Sequence, residues 1–334
     1  MTKLWEKLDD SMIFAVTLPN GDLGYCCVMG QNGEHFSLTL YRNATGFSSY
    51  LRSVNPSAIQ SSTDMFSLFT SMEQISCDFE NLSDLDYNAA EKEEIKTVAA
   101  QNGLKIPRSK GWPSFLQYDA GKIITPPGES ETNDMLEALS AALDVARIAA
   151  EASPEEMAKL GFDSFGDYPS VKGGKLIPLL TRQKDGTYKW DKTPTPAYKD
   201  IEYPRVTFND KKLAERLKAL SHSATYQCRL VSVPSPIREG NVTIYPSVLL
   251  LVRKTDGYAI PLFNEGSDTD LLNQLAEIFT KIGACAAVIE LNDKRTSALL
   301  TDFCKKAGIS IYWQDSTPEL DDAVAYFFSM MSAL

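Results

Sequence analysis

Apolar residues along the chain recur with two different periods, and the changes of period mark out its elements. Met12–Val16, Leu23–Met29 and His35–Tyr41 are strand-length runs separated by the turn segments LPNGD and GQNGE. Asn-Gly between apolar runs predicts tight hairpins, so the three runs predict an antiparallel meander. In the third run Phe36, Leu38 and Leu40 alternate with Ser37, Thr39 and Tyr41, which turns one face inward. A short helix over residues 2–10, with Leu4, Trp5 and Leu8 on one side, precedes them.

Downstream, Phe47–Val54 reads as a helix and Met65–Phe79 contains a strand-like run. Asp84–Gly103 predicts a helix that opens on acids, places Ile95, Val98 and Ala99 on one face and stops at Asn102-Gly103. Ile106–Ile124 holds an apolar strand, ended by Pro126-Pro127-Gly128. The longest helix is expected over Glu131–Glu151, with Leu136, Leu139, Leu143, Ala146 and Ala150 at helical spacing. Ser153-Pro154-Glu155-Glu156 restarts a short helix, and a less regular region rich in Gly, Pro, Tyr and Lys runs from Gly161 to Pro204. Within it, Lys175–Leu180 and Gly186–Trp190 flank a turn and predict a further hairpin.

The last third is the best patterned. After a helix at NDKKLAERLKALS, strands are expected at Tyr226–Val233, Val248–Arg253 and Gly257–Phe263. Then follow helix Leu271–Ile282, strand Ala284–Leu291, helix Lys294–Ala307, strand Ile309–Trp313 and helix Pro318–Met331. Asp268 and Thr269 precede the first of these helices as its cap, Gly283 and Gly308 close the first two, and Thr317-Pro318 begins the last. The expected fold is an α+β N-terminal domain with an antiparallel meander over residues 1–152 and an irregular connecting region with a hairpin and a helix over 153–222. An α/β C-terminal domain over 223–334 completes it, with the ribonuclease H-like element order βββαβαβα.

Composition adds limits. A length of 334 residues suits two domains, and 43% hydrophobic with 23% charged residues is ordinary for a globular chain. The longest apolar run, around Val248–Val252, is far short of the ~18 residues that span a bilayer, and the start MTKLWEKLDD lacks the apolar core of a signal peptide. The expectation is a cytoplasmic protein without membrane contact. Six cysteines with no CxxC pair read as buried free thiols. A net charge of −11 disfavours nucleic acid as a partner and leaves a protein partner or self-association open.

Candidate chemistry is sparse. In a ribonuclease H-like domain with its usual activity, acids near the strand ends would hold two divalent cations, Mg or Mn, for phosphodiester cleavage. Asp256, Glu290, Asp293 and Asp315 stand near such ends. Against that, the strand Tyr226–Val233 carries no carboxylate and the Val248 strand ends in Arg253-Lys254, where an acid is wanted. Helix capping and loop solvation are the preferred roles for Glu290, Asp293 and Asp315. With two histidines, His35 and His222, a His-rich metal site is ruled out, and no cofactor is expected. No GxSxG, GxxxxGK[ST] or GxGxxG occurs, and Lys172-Gly173-Gly174-Lys175 is not fed by a strand. Adjacent Cys26 and Cys27 in one strand point to opposite faces, and Trp5, Tyr25, Phe36, Tyr41, Phe47 and Tyr50 read as core. These residues favour a non-catalytic binding or interaction protein, the alternative being a divergent metal-dependent nuclease or phosphotransfer enzyme.

Two stretches resemble known families. The segment from Leu4 to Tyr50, with its VMG…GE…LY core, continued from Trp112 through PPGESETNDMLEALSAAL, resembles an uncharacterised bacterial domain of unknown function. Tyr245 to Leu334, with its hairpin, short strands and final helix, resembles a second such domain that commonly accompanies the first. The resemblance implies no assigned activity. It also implies an acid in the loop after the first hairpin strand, where Arg253-Lys254-Thr255-Asp256 offers Asp256 alone.

Overall fold

A computed structural model of the chain describes residues 4–33, 35–54, 62–81, 85, 88–105, 110–162, 165–240, 242–264 and 267–331. Glu34 of the VMG…GE…LY core and the start of the helix expected from Asp84 lie outside these residues. The chain forms two compact units, the first made of residues 1–58, 71–120 and 124–200, the second of 59–70, 121–123 and 201–334.

In the first unit a single 3-10 turn, Leu4–Glu6, stands where a helix over 2–10 is expected. Strands β1 (Phe14–Thr17), β2 (Leu23–Met29) and β3 (Ser37–Arg42) form the expected antiparallel meander, in register from Phe14↔Cys26 to Gly24↔Arg42. Gly21, at φ 90°, closes the first turn in a conformation open to glycine. Helix α1 (Asn43–Ser53) follows, then α2 (Ser62–Thr70), which belongs to the second unit, and β4 (Gln74–Asn81). The strand expected somewhere in Met65–Phe79 is thus a helix end followed by a strand. Met65, Leu68 and Phe69 share a helical spacing that outweighs a period-two reading of the same letters.

Helix α3 (Ala89–Gln101) opens with a capping box, Asn88 with Glu91, but of its expected inner face only Ala99 is buried and Val98 is exposed. Strand β5 (Lys110–Tyr118), helix α4 (Glu129–Glu151), helix α5 (Pro154–Leu160), β6 (Leu176–Arg182) and β7 (Tyr188–Pro194) complete the unit. The sheet has the order β5-β4-β3-β2-β1-β6-β7, all pairs antiparallel except β1 with β6. The hairpin of residues 175–194, expected in a separate connecting region, is therefore part of this sheet, because β1 offers its free edge to β6 at Ala15↔Leu179.

Helix α4 is rotated from the expected placement. Leu136 and Leu143 are exposed, whereas Met135, Ala138, Ala141, Ala142, Val145 and Ala149 are buried. A stripe of alanines lets the helix axis approach the sheet closely, where Phe14, Val16, Cys26, Val28, Leu38, Leu40, Ile75 and Cys77 meet it. On the other face, α1 covers Ala15, Tyr25, Cys27, Tyr41 and Ile177 with Phe47 and Tyr50. Cys26 and Cys27 accordingly enter different cores, as their adjacency requires.

The second unit contains α2, α6 (Lys211–Ala219), β8 (Ser221–Ser232), β9 (Ile237–Glu239), β10 (Val242–Ile244), β11 (Ser247–Arg253), β12 (Ala259–Phe263), α7 (Asp268–Ile282), β13 (Ala284–Leu291), α8 (Lys294–Ala307), β14 (Ser310–Trp313) and α9 (Pro318–Met331). Its five-stranded sheet runs β12-β11-β8-β13-β14, with β11 antiparallel to both neighbours and β13 parallel to β8 and β14. The small β9–β10 hairpin, turning through Gly240 at φ 60°, interrupts the expected succession of strands. Helix α7 is capped by Ser267, one residue before the expected Asp268, with Asp270 closing the capping box. Gly283 and Gly308 end α7 and α8 in the left-handed conformation, as expected.

Successive residues of β8 serve opposite faces. Tyr226, Cys228 and Leu230 join α7 and α8 in one core, while Val231 and Val233 join Val248, Leu250, Val252 and the Leu320, Val324 and Phe327 stripe of α9 in another. Phe66 of α2 adds its ring against Tyr245 and Phe328, at 5.2 and 6.0 Å between centroids. No helix among the described residues is long and apolar enough to cross a membrane.

Candidate functional site

The α9 face of the second sheet is apolar over Val231, Leu250 and Val248 but polar toward Tyr226, where β8 contributes Gln227 and Arg229 at alternate positions. Parallel pairing sets Glu290 of β13 directly opposite Gln227, and the antiparallel partner β11 runs on into Lys254, whose backbone N–H donates to the Thr225 carbonyl. Three strands thereby deliver three polar side chains to one point.

Glu290 is buried at 7% exposure, yet it lies inside a strand and caps no helix. Lys254 Nζ donates to both of its oxygens, at 2.9 and 3.0 Å, and Gln227 Nε2 donates to Oε2 at 3.2 Å. Burial pushes the carboxyl up. The hydrogen bonds from Lys254 and Gln227 more than reverse that, so Glu290 stays below the ordinary glutamate value. Its carboxylate in turn raises Lys254, chiefly by accepting that hydrogen bond. Gln227, 1% exposed, spends its carbonyl oxygen on the backbone N–H of Leu320 in the first turn of α9, at 3.0 Å. Beside it Arg229 Nη2 donates to Asn292 Oδ1, Thr317 Oγ1 and Asp321 Oδ1 at 3.1, 3.0 and 2.7 Å. Two cations thus face two anions, and the start of α9 is tied to the strands through both Gln227 and Arg229.

The four acids singled out from sequence stand in different local settings. Asp256 sits in the turn after β11, held bidentate by Arg253 at 2.9 and 2.7 Å, and that bond keeps its carboxyl below the usual range. Asp293 accepts from the Thr296 N–H at 2.7 Å as the cap of α8, on the face opposite α9, which is the expected capping role. Asp315 is exposed in the segment before α9. Among the described residues no group of three or more His, Cys, Asp or Glu is placed to hold a metal ion. Gln227 and Arg229 escaped the sequence reading. The signal was present, since a glutamine and an arginine two residues apart in a strand covered on both faces must share one buried side.

The fold and this site define a two-unit mixed α/β protein whose second unit closes a neutralised polar cluster under its last helix. Two family models of unknown function match the chain: residues 1–162 match "Domain of unknown function (DUF7309)" and residues 213–328 match "Domain of unknown function (DUF6930)". No curated protein matches it. Among solved structures, the catalytic core domain of HTLV-2 integrase in complex with magnesium is similar at 8% identity and a TM-score of 0.23. The match covers 32% of this chain and, in the dimeric and trimeric forms, 66% and 67% of that one. The simian T-cell lymphotropic virus intasome in complex with PP2A regulatory subunit B56 gamma is similar at 10% identity and a TM-score of 0.23, over 31% of this chain and 39% of that one.

Proposed function

We propose that the protein is a non-catalytic binding or interaction protein, and that its second unit uses a ribonuclease H-like element order as a scaffold. The observation that carries this reading is the occupation of Glu290. Two-metal phosphodiester chemistry needs carboxylates free to bridge two cations ~4 Å apart. Here the buried strand carboxylate of the second unit, Glu290, has an ammonium on both oxygens, and the adjacent central-strand position holds the carboxamide of Gln227. An Mg or Mn ion would have to displace Lys254 from Glu290 and gain no charge from Gln227.

The competing reading, a divergent metal-dependent nuclease or phosphotransfer enzyme using Asp256, Glu290, Asp293 and Asp315, is favoured by one feature. Asp293 Oδ2 and Glu319 Oε2 are buried without a hydrogen-bond donor, as acceptors awaiting a cation would be. Incubation of the full chain with single- and double-stranded DNA, RNA and bis(p-nitrophenyl) phosphate in Mg²⁺ or Mn²⁺ separates the two. The binding reading expects turnover at the level of buffer, unchanged by Glu290→Ala. Metal-dependent hydrolysis lost in Glu290→Ala or Asp315→Ala would establish the enzyme instead.

A further inference from the structure

The five-stranded sheet of the second unit ends at β14, whose outer side meets no other strand among the described residues. A strand edge is a row of N–H and C=O groups ready to pair, and proteins blunt such edges with proline, charge or covering chain. The other ends of the two large sheets are treated in that way. Strand β12 carries Pro261, β7 carries Lys189, Asp191 and Lys192 and ends at Pro194, and β5 is bridged at Gln117 by Thr125. Strand β14, with the residues Ser310, Ile311, Tyr312 and Trp313, has neither proline nor charge. Tyr312 and Trp313 are each 56% exposed.

Parallel pairing with β13 fixes which groups of β14 point outward. The Gln314 N–H turns inward to the Leu291 carbonyl, and in a strand every second residue turns the same way, so Tyr312 also faces β13. Ile311 and Trp313 therefore present N–H and C=O to the open side. The side chains divide as well. Ile311 joins the core under α7 and α8, with Trp313 on that same face, and Tyr312 lies beside Glu290 on the α9 face.

An antiparallel copy of the same strand complements this edge. With Tyr312 opposite Tyr312 of a second copy, Ile311 lies opposite Trp313, so the outward N–H and C=O groups of each such pair exchange hydrogen bonds and each apolar side chain meets another on its own face. Charge runs along the edge with a matching polarity. Exposed Lys305, in the last turn of α8, precedes the strand and exposed Asp315 follows it, so reversing the direction sets the basic end of one copy against the acidic end of the other. We propose that β14 is a self-association edge, pairing antiparallel with β14 of a second copy about a twofold axis at Tyr312 and joining the two five-stranded sheets into one. A second copy is thus one partner for the binding reading given above, on which this step rests.

Sedimentation velocity of the full chain between about 1 and about 100 μM tests this. The expected result is a mass that rises with concentration from the 36.9 kDa of one chain toward twice that value. Trp313→Pro removes an outward N–H and leaves the inward bonds of Tyr312 and Gln314 to β13, so it should weaken dimerisation about tenfold or more. Tyr312→Lys, at an exposed position, sets two ammonium groups against each other on the axis and should weaken it about as much, which keeps the test decisive if Trp313→Pro does not fold. Lys305→Glu should weaken it several-fold, and adding Asp315→Lys to the same chain should restore it. A monomer at every concentration, which would leave the edge to a strand from a different protein, or a dimer unchanged in both Trp313→Pro and Tyr312→Lys, would overturn the proposal. Metal-dependent hydrolysis by a chain that still dimerises through β14 would overturn the non-catalytic reading alone.

Discussion

Replacing Gln227 by Glu puts the Glu290 cluster under a calculable load. The substitution conserves shape and keeps an oxygen for the Leu320 N–H, but it replaces an amide donor by a second carboxylate 3.2 Å from Glu290 Oε2. Two unit charges at that distance repel by about 5 kcal/mol at an effective dielectric of about 20. The folded protein has a cheaper route. One of the two carboxyls can take up a proton and donate it to the other, as the amide does now. For a glutamate of ordinary pKa near 4.3, protonation at pH 7 costs about 3.7 kcal/mol, which caps the penalty, and Lys254 offsets part of it. The sign follows from the proton count. The folded variant binds one more proton than its unfolded chain between the ordinary glutamate pKa and the raised folded value, so its stability falls as pH rises through that window. Urea unfolding followed by circular dichroism should show Gln227→Glu about 2–3 kcal/mol less stable than the parent at pH 7, with the gap closing by up to about 1.4 kcal/mol per pH unit toward pH 5. A gap below about 1 kcal/mol at pH 7, or one that does not change with pH, would refute the placement of Gln227 against Glu290.

Three other outcomes follow from the packing. Thr296, fully buried, accepts the Leu230 N–H at 2.7 Å, so Thr296→Val should cost about 1–3 kcal/mol in urea unfolding while Thr296→Ser should cost less. On α4, Ala138→Leu should destabilise by about 1–3 kcal/mol through overpacking, whereas Leu143→Ser, at an exposed position, should shift stability by less than about 0.5 kcal/mol; the reverse order in thermal melts would show the helix rotated. All six thiols are buried, and burial pushes Cys285 up to about 11 and Cys77 up to about 12, so reaction with Ellman's reagent at pH 8 should be negligible in the native protein and complete in denaturant.

The second unit was the more legible because its signals are local. Strand Ala284–Leu291 and helices Lys294–Ala307 and Pro318–Met331 have the ends read from sequence, since left-handed Gly283 and Gly308 and the proline at the start of α9 punctuate the chain within a residue or two of each boundary. The first unit depends on partners far apart in the chain. Nothing near residue 176 announces that β6 will pair with β1, about 160 residues earlier, so from local signals the hairpin reads as part of a connector.

Helix α4 and strand β8 expose the same weakness in reading hydrophobicity one letter at a time. The leucines of α4 drew attention to the wrong face, because a helix that must lie close to a sheet buries its small residues and leaves larger ones outside. In β8 the absence of a carboxylate is not an absence of chemistry. The informative residues were the polar ones present, Gln227 and Arg229, forced by strand alternation onto one covered face where each must find partners. Lys254 completes the argument. Taken alone, it looked like an obstacle to metal binding, and the structure gives it a partner, Glu290, across two strands. A cation and an anion that each stood out in the sequence for opposite reasons neutralise each other in the fold. That pairing ties β11 to β13 across β8, which makes the cluster part of the scaffold that holds α9 in place.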